Sequence, residues 1–354
     1  MGFRFYKSVS VGKGLRLGVS KSGIGLGFGP KGARYSVHSS GRTRKTIGIP
    51  GSGMSYVEYG STGKSRRRRE TATQLSIDSS TRQALGNAFR PSFFAPKEEK
   101  FYCDGLIQGL VIQDFPRALK AFRECAQRDP SVLSAFFLGG YVTMKLGKDE
   151  DAIPWLEPII DADAALPDAL MSKYGLDGSV MSVSIETWIT PRVMVEVEMT
   201  TPGATLILAE LYQRGGEKTK AMGLLENLVD VAPDVPAIAL SLAELYFQEA
   251  LWEELASMPV RIENTDDLSA EVLRYKARAM RETGMLDGGL EVLKEALRSK
   301  KRHPEILKAA RYERALTYEA MGKASQARRD LERLYAEDPL YQDVSRRVRP
   351  SEGS

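Results

Sequence analysis

The spacing of apolar residues along the chain changes near residue 98. Before residue 60, apolar residues alternate with polar residues or glycines in short runs, such as those at 9–19 and 24–28, and glycine-rich turns separate the runs. A period of two indicates strands with one buried face, and glycine supplies the positive φ that hairpin turns need. Beyond residue 98 the apolar positions follow the period of helices. The sequence therefore predicts a small antiparallel β domain followed by a helical body.

The helical body contains an internal repeat. The string L-A-E-L-Y at Leu208–Tyr212 recurs at Leu242–Tyr246, 34 residues later. Small residues at the second position of this string continue in the same register, with spacings of 34, 34 and 38 residues, at Ala209, Ala243, Ala277 and Ala315. A repeat of this length predicts stacked helical hairpins, because small residues let two antiparallel helices approach closely.

This register resembles that of the tetratricopeptide repeat (TPR), which has the same period. The resemblance covers about residues 98–349 and implies an α-solenoid, an α/α superhelix, with second helices centred near residues 122, 156, 225, 255, 293 and 331. Each helical hairpin alone leaves an apolar face exposed, so stability requires stacking. The resemblance also implies a groove lined by the first helix of each hairpin, to which a protein or peptide partner binds.

A β-rich segment interrupts the repeats. Ala152 and Ala221 are 69 residues apart, nearly two periods, but the chain between them carries β-branched runs around Thr190 and Pro191. We predict a β-hairpin inserted at about residues 178–200, which either presents a contact surface or covers a gap in the core. The predicted domains are a basic β domain at 1–60, a polar basic linker at 61–97, the solenoid at 98–349 and a tail at 350–354.

The N-terminal β domain, here called the head, resembles a bacterial domain of unknown function. The opening G-F-R-F-Y-K-S, the stretch S-K-S-G-I-G-L-G-F-G and the closing I-G-I-P-G-S-G-M-S-Y carry the resemblance, over residues 1 to about 59. The family brings no assigned activity. A domain of about 60 residues buries only about 60% of its unfolded surface. We therefore expect the head to depend on self-association through its sheet edges, on docking to the acidic body or on a large anionic partner.

The charge of the chain is divided unevenly. The net charge of +4 combines +14 over residues 1–69 with −10 over the remainder. This asymmetry predicts either an external polyanion for the head or contact with the acidic repeats, in the same molecule or in a neighbouring copy. The densest cluster is Lys64 with Arg66, Arg67, Arg68 and Arg69. It is a candidate anion-binding site for nucleic acid or lipid phosphates, with a solvated linker as the alternative.

Three arginines mark a candidate binding groove. Arg274, Arg278 and Arg281 recur at i, i+4 and i+7 in the first helix of the fifth helical hairpin, so they share one face. Tyr312 in the next first helix is expected to continue that face. Since guanidinium groups bind carboxylates, these four residues predict a groove for an acidic peptide. The alternative is that Glu271, Glu282 and neighbouring acids pair with the arginines along the helix.

Few residues are suited to catalysis. The sequence contains two histidines, His38 and His303, and two cysteines, Cys103 and Cys125. A histidine-based triad or metal cluster is therefore not expected, and we interpret the cysteines as buried apolar residues. So low a cysteine content suits a reducing compartment. We predict no enzyme, no metal site and no cofactor, and a cytoplasmic protein without a transmembrane segment.

These observations predict a non-enzymatic adaptor or scaffold. Its repeats bind a protein or peptide partner, and its basic head mediates self-assembly into a homo-oligomer or docks on an anionic surface. The alternative is a nucleic-acid-associated protein in which the head and Arg66–Arg69 bind phosphates.

Overall fold

The computed structural model describes most of the helical body and the paired strands that precede it. The described residues are 4–10, 15–20, 23–28, 33–38, 42–48, 54–61, 79–178, 181–190, 193–260 and 262–348. The strands before residue 62 are described by their backbone pairing. By internal contacts the chain divides into two compact units, Met1–Thr187 with Met194–Ala221, and Trp188–Val193 with Met222–Ser354.

The alternating N-terminal segment forms six strands, as the period of two predicts. They are β1 (Arg4–Ser10), β2 (Leu15–Ser20), β3 (Gly23–Phe28), β4 (Ala33–His38), β5 (Arg42–Gly48) and β6 (Met54–Ser61). Consecutive strands pair antiparallel from β1 to β6. The predicted β-hairpin insertion is also present, as β7 (Met181–Thr190) and β8 (Val193–Glu198).

The β-hairpin closes the N-terminal sheet. The strand order is β1-β2-β3-β4-β5-β6-β8-β7, and β7 returns to β1. β1 pairs with β7 from Arg4 opposite Glu186 to Val9 opposite Met181, and β6 pairs with β8 at Met54 opposite Val197. Unpaired edges of so small a sheet would be open to association with other strands. Here the chain's own β-hairpin pairs with both edge strands, with β1 at six residue pairs and with β6 at two.

The helical body is an α-solenoid of TPR-like helical hairpins, in agreement with the repeat register. Its helices are α1 (Ser79–Ala88), α2 (Lys97–Leu106), α3 (Phe115–Arg128), α4 (Leu133–Lys145), α5 (Asp149–Ile160), α6 (Ala169–Lys173), α7 (Thr201–Arg214), α8 (Lys218–Val231), α9 (Pro236–Gln248), α10 (Trp252–Ser257), α11 (Asp267–Glu282), α12 (Leu286–Ala296), α13 (Pro304–Ala320), α14 (Ala324–Glu337) and α15 (Val344–Val348). The helical hairpins are α2/α3, α4/α5, α7/α8, α9/α10, α11/α12 and α13/α14. The strands β7 and β8 are inserted between the second and third of them.

The columns of small and large apolar residues form the core. The small residues of the first helices, Ala209, Ala243, Ala277 and Ala315, are all 0% exposed. The large apolar residues of the second helices are buried as well, at Phe122, Leu156, Leu225, Leu293 and Leu331. In the first hairpin Gly105 lets α2 approach α3 closely, because a Cβ there would lie 2.6 Å from the ring of Phe122. The repeat register thus marks the positions where helices touch.

Within the described ranges, no helix has both the length and the apolar composition needed to cross a bilayer.

Candidate partner-binding face

Helix α11 presents the three predicted arginines. A capping box fixes its start: the Asp266 carboxylate accepts from the Ser269 backbone N–H at 2.8 Å, and the Ser269 hydroxyl oxygen accepts from the Asp266 N–H at 2.9 Å. Leu273 and Ala277 pack in a core cluster with residues of α12 and α13. With those positions directed to the core, the arginines lie together along another side of the helix.

Arg274 is the most deeply buried of the three arginines. Its Nε donates to Glu271 Oε2 at 2.9 Å and its Nη2 donates to Glu271 Oε1 at 3.0 Å. Burial by itself lowers the pKa of the Arg274 guanidinium, but the Glu271 and Glu313 carboxylates and the Tyr275 phenol raise that pKa above its ordinary value. The guanidinium therefore stays charged although the side chain is 5% exposed.

Glu313 on α13 connects all three arginines. It lies 3.8 Å from Arg274 Nη1, 3.6 Å from Arg278 Nη1 and 3.2 Å from Arg281 Nη2. Burial raises the pKa of the Glu313 carboxyl, and the charges of Arg274 and Arg281 partly offset this rise. Together with Glu271 and Glu282, these residues form what we call the arginine–glutamate face, in which three arginines meet three glutamates.

The outer part of this face keeps some contact with solvent. The side chains of Arg278 and Arg281 are 25% and 14% exposed, and each forms an ion pair with Glu282, with a guanidinium nitrogen 3.1 Å from Glu282 Oε1. Within the described chain, the buried Nε atoms of both arginines have no hydrogen-bond partner. Each of these two guanidiniums therefore keeps one buried N–H whose hydrogen bonding the described residues do not satisfy.

An aromatic group borders the arginines. The Phe247 ring packs edge-to-face on Trp252 and on Tyr275, with centroids 5.6 Å and 5.2 Å apart. The Arg278 guanidinium lies 5.8 Å from the Trp252 ring centre, and that of Arg274 lies 3.9 Å from the Tyr275 ring centre. Cations over aromatic faces gain electrostatic stabilisation. Tyr275 also donates its hydroxyl hydrogen to Glu244 on α9, so α9, α11 and α13 all contribute polar groups here.

Tyr312 does not continue the arginine–glutamate face. Its hydroxyl donates to Asp343 Oδ1 at 2.5 Å, and its ring packs edge-to-face on Tyr341. The chain after α14 folds against this side of α13, where the partly buried Tyr312 packs against a core cluster that contains Leu334 and Val344. Burial, and then the hydrogen bond to Asp343, raise the pKa of Tyr312 to about 12.

Two participants were not predicted from the sequence. Glu313 and Glu244 lie on neighbouring first helices, far from the arginines in sequence. The repeat register held a signal, since Glu313 precedes Ala315 by two positions just as Tyr275 precedes Ala277. Equivalent positions on stacked helices are neighbours in space. Glu271 and Glu282, by contrast, pair with the arginines as the helical spacing allows.

The predicted anion-binding residues Lys64 and Arg66–Arg69 lie outside the described residues.

The cysteines are both buried and form no disulfide, with Cys103 on α2 and Cys125 on α3. Burial raises the pKa of the Cys103 thiol to about 11 and that of the Cys125 thiol to about 12. His303 caps α13, its Nδ1 accepting from the Glu305 N–H at 3.3 Å. In the described part of the chain, no three histidine, cysteine, aspartate or glutamate residues are grouped to hold a metal ion.

Comparison with protein families gives two matches. The family described as "T7SS, ESX-1 secretion system protein EccA1, N-terminal domain" matches residues 112–349, which is more than half of the chain. The family described as "Protein of unknown function (DUF4236)" matches residues 3–57. No curated protein matches the chain significantly.

Similar solved structures include several tetratricopeptide-repeat proteins. YrrB, described as a TPR protein with an unusual peptide-binding site, is 12% identical, with a TM-score of 0.43 over 64% of this chain and 97% of its own. A tetratricopeptide-repeat protein from Parabacteroides merdae is 14% identical, with a TM-score of 0.40 over 68% and 80%. MamA from AMB-1 is 18% identical, with a TM-score of 0.39 over 59% and 93%. The predicted resemblances to the repeat family and to a domain of unknown function are confirmed.

Proposed function

Since the chain belongs to the family of the N-terminal domain of the T7SS, ESX-1 secretion system protein EccA1, we propose that it is a non-enzymatic adaptor whose helical repeats bind a protein partner. The proposed setting is protein secretion, the system named for that domain. The free, buried thiols of Cys103 and Cys125 support a reducing compartment, which we take to be the cytoplasm.

The arginine–glutamate face carries the proposal. A helix–helix contact is most simply filled with apolar side chains, because burying a charge costs free energy unless it is paired. Yet α11 and α13 place six charged side chains together, and α9 adds Glu244 through Tyr275. Such a polar site on neighbouring first helices is suited to recognition rather than to stability alone.

The partner contact is proposed at the outer end of this face. Arg274 is held by two hydrogen bonds from its guanidinium to Glu271 and is almost fully shielded from solvent, so it positions the neighbouring groups. Arg278 and Arg281 are more accessible and share Glu282, which sits near the end of α11. A carboxylate of the partner would take the place of Glu282 against these two guanidiniums, and Trp252 would contact the adjoining apolar part of the peptide.

Charge reversal tests this contact. Partners captured from a lysate with the full chain are identified by mass spectrometry, purified, and titrated against wild type and the variant Arg278→Glu/Arg281→Glu. We expect the affinity to fall at least about tenfold, since two charge-assisted hydrogen bonds become repulsions. The matched control is Arg298→Glu/Arg328→Glu, which reverses two exposed arginines that also form ion pairs with a glutamate three or four residues away. Equal affinities of wild type and the Arg278/Arg281 variant would remove this face from the proposal.

We propose that the head acts while it is held by the β-hairpin that is inserted between the repeats. Its edge strands β1 and β6 pair with β7 and β8. This pairing supports a head that travels with the adaptor and offers its positive charge to an anionic surface. A homo-oligomer remains part of the proposal, because the same strand pairing can form between two copies. Binding of nucleic acid by Lys64 and Arg66–Arg69 stays a prediction from the sequence.

A further inference from the structure

Two phenylalanines project from the turn between α1 and α2. Phe93 is 85% exposed and Phe94 is 90% exposed. Their rings pack edge-to-face on each other, with centroids 5.2 Å apart. Adjacent aromatic side chains in water are unfavourable for a protein that leaves them uncovered, and an exposed apolar feature of this kind commonly marks a contact site.

The turn is anchored on both sides, so the pair is held outward. Phe89 before it is 0% exposed, and Ala95 after it is 8% exposed. The Ala95 N–H donates to the Ser92 carbonyl at 3.0 Å, and Lys100 Nζ donates to the Phe93 carbonyl at 2.9 Å. Two prolines, at 91 and 96, further restrict the backbone. The two rings are therefore presented by a fixed turn.

Basic residues flank the pair along the chain, with one half-buried acid, Glu98, among them. Arg90, Lys97 and Lys100 are all exposed. The nearby Glu99 is 5% exposed, and its carboxylate accepts hydrogen bonds from Lys173 Nζ at 2.8 Å and from the Tyr174 hydroxyl at 2.6 Å. Its charge is thus neutralised inside the fold.

We propose that Phe93 and Phe94 insert into the interface of an anionic lipid bilayer, with Arg90, Lys97 and Lys100 on the lipid phosphates. Aromatic rings bury well at the boundary between headgroups and acyl chains, and basic residues beside them bind the negative surface. One weak insertion needs a second signal for stable attachment, and the exposed basic residues beside the two rings supply it. Single-stranded nucleic acid fits less well, because its binding surfaces use a groove that follows the backbone, whereas this pair stands at the tip of a turn.

This inference goes beyond the adaptor function, since it assigns the surface on which the adaptor would work. It is tested with the full chain by sedimentation with vesicles of phosphatidylcholine, with and without phosphatidylglycerol. We expect binding to the anionic vesicles only.

The variant Phe93→Ser/Phe94→Ser should lower the partition coefficient about tenfold or more. The variant Arg90→Gln/Lys97→Gln should reduce the dependence of that coefficient on salt. The matched control Val231→Ser/Leu340→Ser replaces two other exposed apolar residues, 81% and 90% exposed, and should bind as wild type.

A depth measurement gives a second readout. In Phe93→Trp, brominated lipids should quench the added tryptophan fluorescence relative to wild type, because the ring then lies among acyl chains. Three outcomes would overturn the proposal: no binding to anionic vesicles, equal binding of Phe93→Ser/Phe94→Ser, or absence of quenching. Loss of binding to single-stranded RNA or to a captured protein in the serine variant, without any vesicle binding, would likewise assign the pair to another partner.

Discussion

Arg274 and Glu271 form a bidentate ion pair within a single helix, three residues apart. Nε donates to Oε2 at 2.9 Å and Nη2 donates to Oε1 at 3.0 Å, and the two side chains are 5% and 0% exposed. Charges so well shielded from water depend on each other for neutralisation. Arg274 was predicted to line a groove, but its surroundings give it a structural task between α11 and α13.

Replacing Arg274 should destabilise the protein strongly. Arg274→Ala is expected to lower the free energy of unfolding by about 3–5 kcal/mol, because Glu271 loses its bidentate partner in the interior. Urea unfolding followed by circular dichroism measures this change. The double variant Arg274→Met/Glu271→Leu should recover most of the loss, since it buries no charge at this pair. A double variant no more stable than Arg274→Ala would contradict the argument.

An exposed arginine provides the control for that experiment. Arg298 pairs with Glu295 at 3.0 Å across the same spacing of three residues, but its side chain is 70% exposed. Arg298→Ala is therefore expected to change the free energy of unfolding by less than about 1 kcal/mol. A loss as large as that of Arg274→Ala would mean that burial is not what makes the inner pair important.

Two glycines in helices should respond oppositely to alanine. A Cβ on Gly105 would lie 2.6 Å from the ring of Phe122, which is 1% exposed and cannot move aside. Gly105→Ala should therefore lower the free energy of unfolding by about 1–3 kcal/mol. Gly223 lies in α8 with nothing within 4 Å of a Cβ, so Gly223→Ala should raise it by roughly 0.5–1 kcal/mol. Urea midpoints compare both variants, and a stabilised Gly105→Ala would refute close packing of α2 on α3.

The C-terminal cluster should make stability depend on pH. Burial by itself raises the pKa of the Asp343 carboxyl, but hydrogen bonds from Tyr312, Arg347 and Arg346 more than offset burial and lower that pKa to about 2. The folded-state pKa lies below the ordinary value of 3.8. The stabilisation is therefore present above about pH 4 and is lost as the pH falls towards 2.

Asp343→Asn tests that linkage, because it keeps the shape of the side chain and removes its charge. At neutral pH we expect a loss of about 1 kcal/mol, a value reduced for the exposure of the arginine partners. The difference from wild type should shrink as the pH is lowered through the acid range. Urea unfolding of both proteins at a series of pH values measures it. A difference that stays constant with pH would exclude the charge of Asp343 as its cause.

The fold was predictable where a residue type repeats at a fixed spacing. Ala209, Ala243, Ala277 and Ala315 recur in the first helices of four hairpins, and each is 0% exposed. A small residue is required wherever two helices meet, so packing imposes the same choice in each repeat. The β-hairpin at 181–198 was predictable for a similar reason, because its alternating apolar residues suit no helix.

The candidate site was only partly predictable, because ion pairs between helices depend on how each helix is rotated. Spacing along α11 predicts the pairing of Arg274 with Glu271 but is silent on Glu313, which comes from α13. Tyr312 is next to Glu313 in sequence but contacts Asp343 instead.

The pairing of the head with β7 and β8 was not predicted, for a different reason. Net charge suggests attraction to acidic repeats, whereas the pairing of β1 with β7 is set by backbone hydrogen bonds.

A designed disulfide tests where the head sits. Ser8 on β1 lies opposite Ser182 on β7, and opposite residues in antiparallel strands are about 4.5–5.5 Å apart, within disulfide reach. Ser8→Cys/Ser182→Cys should therefore form a disulfide within one chain, seen as a monomer on a non-reducing gel and as a linked peptide by mass spectrometry. Ser8→Cys/Ser184→Cys is out of register and should oxidise poorly.

The native thiols of Cys103 and Cys125 should stay protonated and take no part, since burial raises their pKa values to about 11 and about 12. A covalent dimer would place the head on a neighbouring copy and support the homo-oligomer, whereas no disulfide in either form would contradict the pairing of β1 with β7.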